Sequence, residues 1–337
     1  MMVVMMSPSH AARVAFGLWL VAALGAPALH ACDSSACLLV TRGRNGVLAK
    51  GALRLDASFR HTDETAKLEG SREVDRVLRP KVDFESRVLR PGYHDELGGS
   101  DTFLQLDAGY GLTSRLSLML SVPLFARRAY DVGHAPVASE SYTTHGNGDT
   151  LLGARYGFRA GSNGFLVAGL SVELPTGAHA LDSGPGLADR GILDPGLQPG
   201  SGSWDVVASA QYSVRWPSAD LDWTLAGSYQ LNTENDLRYR SGDGAIASVT
   251  ASRAFGARVS ASLQLKGVFE ERGAYLDAPV PATGSRMVYV IPGLNVSAFR
   301  NGSLYLYVPL PAYRYVNEAQ LAPRPSLVVG VSRTFSF

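Results

Sequence analysis

The sequence predicts an all-β fold, a transmembrane antiparallel β-barrel of about twelve strands, built as an up-and-down meander with short periplasmic turns and long extracellular loops. Three observations carry this. Apolar and polar residues alternate in segment after segment beyond residue 50. Every second segment ends in a turn of two to four residues, and the others end in longer Gly/Pro-rich stretches. Aromatic side chains gather near the ends of the apolar faces.

Composition removes the competing classes. The 337 residues carry 31 basic and 30 acidic side chains, a net charge of +1, so a nucleic-acid partner reading a basic surface is not expected. Mean hydropathy near zero excludes a bundle of transmembrane helices. Two cysteines cannot build a disulfide scaffold or a four-cysteine zinc site.

Residues 1–31 form an address. Arg13 precedes the one long apolar stretch, Val14–Leu29, which Pro27 interrupts and which small residues follow. Charge, apolar centre and small-residue exit describe a cleaved secretory signal, and the stretch is short for a membrane anchor. Residues 32–50 would be a periplasmic N-terminal segment bearing Cys32 and Cys37. Leu29-His30-Ala31-Cys32 also resembles a lipoprotein box, with His30 unusual within it. A small disulfide loop in an oxidising compartment is preferred, since four intervening residues can close a ring.

Residues 51–337 would be the barrel. In 51–62, Leu53, Leu55, Ala57 and Phe59 alternate with Arg54, Asp56, Ser58 and Arg60. The same period runs through 101–112, 116–130, 149–159, 164–176 and 204–216. The second half repeats it at 221–233, 244–255, 258–270, 287–299, 303–315 and 325–337. Tight turns fall at 113–115, 160–163, 217–220, 256–257 and 300–302, whereas 63–100 and 177–203 read as the largest loops. A meander spanning lipid must close on itself, because the bilayer core leaves an open sheet edge unsatisfied. Tyr110, Phe158, Trp216, Trp223 and Phe299 lie on apolar faces near the tight turns, with Trp204 and Tyr130 at the opposite ends. Two belts fit an outward-facing oily surface. A soluble twelve-stranded barrel would have an interior too wide for its side chains to fill.

The period then sends Arg54, Asp56, Gln105, Asp107, Arg155, Glu173, Gln211, Gln264 and Lys266 toward the lumen. Both charge signs occur, so these residues either set a field for a polar permeant or satisfy one another as a plug. At the C-terminus, Phe335 and Phe337 share a face with Leu327, Val329 and Val331. A terminal Phe with a second aromatic two residues earlier resembles the signal read by the barrel-assembly machinery, although Gly330, Ser332 and Arg333 depart from it. An arginine near a rim can snorkel to head groups.

Several phrases resemble one family. They are Tyr110-Gly111-Leu112-Thr113-Ser114-Arg115-Leu116-Ser117, then Ser121-Val122-Pro123-Leu124, then Glu173-Leu174-Pro175-Thr176-Gly177 and finally 197–205 (LQPGSGSWD). In that order they resemble the outer-membrane transporters grouped with the phenol meta-degradation pathway, over roughly residues 100–337. The resemblance implies an outer-membrane barrel of a Gram-negative bacterium that passes a small, often aromatic or apolar, molecule. It brings no catalytic motif.

No catalytic, metal or cofactor site emerges from the residues themselves. His145-Gly146-Asn147-Gly148 lacks the serine that outer-membrane phospholipases place two residues after their histidine, and His94-Asp95-Glu96 has no supporting acid pair. His61, His94, His134, His145 and His179 show no ligand spacing. The duplicated Arg76-Val77-Leu78-Arg79-Pro80 and Arg87-Val88-Leu89-Arg90-Pro91 suggest a hairpin with four arginines, which would present a basic patch to lipopolysaccharide phosphates or remain an ordered surface loop. The expected partners are outer-membrane lipid and lipopolysaccharide, the barrel-assembly machinery and a small solute, with no cofactor. The expected function is passage of that solute. The alternatives are a closed receptor barrel displaying its loops and, more remotely, a hydrolase.

Overall fold

The computed structural model describes residues 46–133, 139–161, 163–183 and 191–337. Residues 1–31, expected to be a secretory signal, and the pair Cys32 and Cys37 lie outside the described residues, as does His134.

Twelve antiparallel strands close into one barrel. The first four are Ala52–Gly70, Val88–Gly111, Leu116–Gly133 and a fourth in two pieces, Glu140–Gly146 and Thr150–Ala160. Gly164–Leu174, Asp205–Trp216, Leu221–Leu231, Gly244–Phe255, Val259–Glu270 and Ser285–Phe299 follow. The eleventh begins as Gly302–Tyr307 and the last ends as Leu327–Ser336. Ten ladder pairs from Ala52↔Ser336 to His61↔Leu327 join the last strand to the first and shut the sheet. Closure leaves no edge in the lipid-exposed wall.

Outward faces carry the oil. Leu55, Phe59, Leu104, Leu120, Leu170, Leu263 and Leu304 are all exposed, which in water would be costly and in lipid is required. Their alternates are buried: Asp56, Ser58, Gln105, Asp107, Ser117 and Gln211 have less than a tenth of their surface accessible. Tyr110, Phe158, Trp216 and Phe299 stand outward near the short turns, and Trp204 outward at the far end. Tyr130 does not join the outer belt. It points inward, is buried, and donates its hydroxyl proton to Glu64 Oε2 at 2.7 Å.

The 63–100 stretch, expected as a loop, is mostly strand. The first strand runs eight residues past residue 62, and the second starts at Val88 rather than at 101. Polarity hid this. Above the lipid the outward face meets water, so the same period of two now puts polar residues outside and apolar ones inside. Ala66 and Leu68 are buried inward while Asp63, Thr65 and Glu69 are exposed. The third strand does the same with Tyr130 and Val132 inward and Asp131 outward. Inward residues of several strands meet in one apolar cluster, Ala66, Leu68, Ile246, Val268, Met287, Val316 and Ala322. The barrel is thus inside-out within the membrane and soluble-like above it.

The last long connection expected, between the eleventh and twelfth strands, is a tight reversal. Leu310–Pro323 rises against the tenth strand (Val290↔Leu310, Ser285↔Val316) and then descends against the first (Glu69↔Ala319, Glu64↔Pro323). The turn lies at Asn317 and Glu318, and Glu318 adopts a left-handed φ of 50°. Near the opposite end, Gly330 makes room for the Tyr305 ring, which crosses it to donate to Asp56 Oδ1 at 2.6 Å. That packing accounts for a glycine where the assembly signal has a polar residue. Arg333 is exposed and lies over the Phe335 ring at 4.8 Å, and Phe337 is exposed at the rim.

Candidate functional site: a capped bore

The bore has a floor, a chamber and a lid. Residues 46–50, just ahead of the first strand, lie inside the short-turn end. The Leu48 N–H donates to Ser117 Oγ at 2.8 Å, and the Gly51 N–H donates to the Gly111 carbonyl at 2.8 Å. Glycines on the inward face admit this chain. A Cβ at Gly109 would lie 3.0 Å from Leu48 Cδ1 and one at Gly157 would lie 3.1 Å from Val47 Cγ2, while one at Gly111 would collide with the Ala49 carbonyl.

Above this floor is a chamber of about 390 Å³. One arc of its wall is mainly apolar, with Val268, Met287, Tyr289, Ile291, Val316 and Val328, and Lys266, Glu270, Ser285 and Gln320 lie among them. The facing arc is polar and charged, with Asp101, Gln105, Asp149, Glu173 and Asp205. Arg60 and Arg128 both lie over the Phe103 ring, at 4.5 and 5.6 Å from its centre, and all three border the chamber. Such stacking holds two guanidinium groups against a low-dielectric surface without burying them.

Two loops make the lid. The first is a hairpin in which Leu78–Asp83 pairs with the start of the second strand (Leu78↔Asp95, Asp83↔Val88). Its tip crosses the mouth: Val82 clusters with Tyr239, Tyr275 and Val280, and the Phe84 ring meets the Tyr275 ring edge-on at 5.4 Å. Tyr239 and Tyr275 belong to a small second sheet, Tyr239–Arg240, Ala274–Tyr275 and Ala278–Pro279, made by the loops opposite. The second lid loop is residues 191–203. Its Leu193 and Leu197 pack on Tyr130, Val132 and Tyr142, and Arg128 Nη1 donates to the Gly196 carbonyl at 2.8 Å. Asp194 ties the two loops together by accepting the Val82 N–H at 2.9 Å.

The hairpin's arginines do not form the free basic patch that the duplicated motif suggests. Arg76 pairs with Asp95 at 2.9 Å, Arg79 with Glu96 at 3.0 Å and Arg90 with Asp83 at 2.5 Å, so the acids of the same hairpin neutralise these three, while the fourth, Arg87, is exposed at the tip. Asp83 also accepts the Ser86 N–H at 2.8 Å, and that bond, with Arg90 alongside, holds its carboxyl below the ordinary range. On the opposite side of the mouth, burial followed by the charge of Asp83 raises the Tyr275 phenol, with Arg87 opposing the rise.

The residues expected in the lumen are placed as follows. Glu173, Lys266 and Gln105 border the chamber. Asp56, Asp107, Gln211 and Gln264 are buried, and Arg54 and Arg155 are half-buried. Polar partners are local: Gln105 Nε2 donates to Asp107 at 2.8 Å, Gln211 Nε2 to Ser213 at 2.9 Å, and Arg54 Nε to Thr334 at 3.4 Å. Sequence reasoning missed the apolar arc, because it equated inward with polar throughout. The inverted period past residue 62 was the available signal.

The histidines scatter. His94 is buried 3.9 Å from Asp194, His179 Nε2 lies 2.7 Å from Asp236 Oδ1, His61 contacts Thr102, and His145 projects from the outer face. Among the described residues no group of three or more His, Cys, Asp and Glu could hold a metal ion.

Comparison with known proteins fits this architecture. The family model described as "Putative MetA-pathway of phenol degradation" matches residues 82–274, more than half of the chain. The chain belongs to that family. Among solved structures, an outer membrane channel from Pseudomonas putida F1 superposes with a TM-score of 0.58 at 16% identity, covering 86% of this chain and 97% of that one. The translocator domain of the autotransporter NalP from Neisseria meningitidis gives 0.43 at 10% identity, with 97% and 98% covered. The P. putida toluene transporter TodX gives 0.37 at 9% identity, with 85% and 90% covered. No curated protein matches the sequence. The first likeness establishes the fold, and with the oily exterior it makes this family member an outer-membrane barrel.

Proposed function

We propose that this family member passes a small apolar or aromatic molecule across the outer membrane. The observation that carries the reading is the chamber's apolar arc, set behind a lid and above a floor. An open aqueous pore has no use for Val268, Met287, Tyr289 and Ile291 in its lining, whereas an uncharged solute gains about 25 cal/mol for each Å² of the half-buried Tyr289 and its apolar neighbours that it removes from water, with Val316 fully buried behind them. The family's description as a pathway of phenol degradation lends support, since phenol is a small aromatic molecule. Of the nine lumen residues, Gln105 and Glu173 then serve in the chamber's polar counter-wall, Lys266 adds a charge within the apolar arc, and the others form an underlayer that holds the barrel shape around the path. Phe335 and Phe337 are proposed to present the assembly signal.

A specific observation favours a second reading, a closed receptor barrel. Both ends of the bore are covered, by residues 46–50 and by the lid. The two readings separate in one experiment. Cells producing the chain are compared with cells lacking it for initial uptake of a radiolabelled monoaromatic hydrocarbon, alongside the variant Met287→Glu, which puts a carboxylate into the apolar arc. Faster uptake with the chain, cut by the variant at equal surface amounts, is the expected result. Equal uptake with and without the chain would remove the transport reading and leave the receptor.

A further inference from the structure

On the outer face of the wall, we propose, Arg127 and His145 form a binding site for the phosphate of a glycolipid in the outer leaflet. Arg127 and His145 are direct cross-strand partners on the third and fourth strands, and both project outward. The same row continues through Thr102 and His61 on the second and first strands (Arg127↔Thr102, Thr102↔His61). His61 Nδ1 lies 2.9 Å from Thr102 Oγ1 and its Nε2 lies 3.4 Å from Asp63. The carboxylates nearby are engaged: Asp63 faces His61, and Asp131 accepts from Ser141 at 2.5 Å. Arg127 has no carboxylate within ion-pair distance among the described residues, in contrast to Arg76, Arg79 and Arg90 of the lid hairpin. Two basic side chains directly opposed on a sheet repel when both are charged, unless an anion bridges them.

Position selects the anion. One step down the same strands is the row Phe59, Leu104 and Phe125, all exposed and paired in register. The basic row therefore stands at the upper border of the oily belt, on the long-loop side that faces outside in such barrels. A basic group beside the belt meets lipid head groups before it meets bulk solution. A lipid whose acyl chains lie along Phe59, Leu104 and Phe125 would bring its phosphate to Arg127 and His145, with the Thr102 hydroxyl as a further donor. The guanidinium fork suits two phosphate oxygens at once. This site is separate from the lid hairpin, and it does not depend on what the bore carries.

The test uses the mature protein, purified folded in detergent and stripped of lipid. Bisphosphorylated lipid A, chemically dephosphorylated lipid A and inorganic phosphate are each titrated against it, with binding read by native mass spectrometry. Folding of every variant is checked by its heat-modifiable gel migration. Wild type should prefer the phosphorylated lipid, and Arg127→Gln with His145→Gln should weaken that preference by at least about five-fold, the effect of one basic group at a charged surface. Arg286→Gln, at an arginine stacked on Phe269 and Tyr315 elsewhere on the wall, should leave the preference intact. A folded double variant with undiminished preference would overturn the site. Equal binding of the two lipids by wild type would do so as well, and inorganic phosphate bound as tightly as the lipid would exclude the glycolipid as its ligand.

Discussion

Replacing Gly111 by valine should dislodge the floor of the bore. A Cβ at this position runs into the Ala49 carbonyl oxygen, with the Ala49 carbonyl carbon at 2.7 Å and the Leu48 oxygen at 3.0 Å. The strand cannot give way, because Gly111 closes a long ladder with the third strand ending at Gly111↔Ser117. Valine suits a strand, so the barrel itself is not the weak point. What holds residues 46–50 is modest. The Leu48 N–H bond to Ser117 Oγ contributes about 1 kcal/mol. Val47 and Leu48 are each half-buried, worth about 1 kcal/mol apiece. The sum is about 3 kcal/mol, roughly a hundred-fold preference for the inserted state. Overpacking against backbone costs about 1–3 kcal/mol, so the variant should bring inserted and withdrawn states near balance. Single-channel recording in planar bilayers reads this directly: wild type should stay at low conductance, and Gly111→Val should show frequent larger openings. Gly267→Val, where a Cβ meets nothing nearer than 3.9 Å, is the control. A folded Gly111→Val barrel with wild-type conductance would refute the view that these residues limit the path.

Three further outcomes follow from the geometry. Tyr305→Phe removes the hydroxyl that donates to buried Asp56 at 2.6 Å, and the lost charge-assisted bond should lower stability by about 1.5–3 kcal/mol in urea unfolding from lipid vesicles. An unshifted midpoint would mean that the bond contributes nothing. Asp83 has a folded pKa below its unfolded value of about 3.9, so its stabilisation of the hairpin tip is complete above that pH and fades as pH falls through the folded value. Hydrogen exchange at residues 78–90 should therefore rise selectively below about pH 4, and Asp83→Asn should show raised exchange already at neutral pH. Tyr275→Ala removes the ring that Phe84 meets at 5.4 Å and part of the apolar contact across the mouth. Proteolysis at the hairpin should quicken in that variant while heat-modifiable migration of the barrel is unchanged.

Much of the wall was legible in the sequence. Trp204–Trp216, with Val207 its one exception, and Val259–Lys266 alternate, because inside the membrane each strand separates a uniform solvent from a polar interior. The tight turns at 113–115 and 256–257 fell where the chain reverses, since few residues can do so. At 63–100 the reading stopped short. His61-Thr62-Asp63-Glu64-Thr65 holds no apolar residue, so the period vanishes just where the outward face passes from lipid to water and the pattern changes sign. The duplicated arginine motif predicted a hairpin but not its charge balance, because Asp95 and Glu96 are supplied by the partnering strand.

The sequence by itself determined the class, the strand number and the orientation of the oily face, because these are properties of a strand and its immediate solvent, repeated every second residue. Only the tertiary structure decided what the bore contains. Val82 meets Tyr239, Leu48 meets Gly109, and Val268 meets Met287 and Val316 across separations that no local period records. Closure of the cylinder brings those residues together, and with them the lid, the floor and the apolar arc.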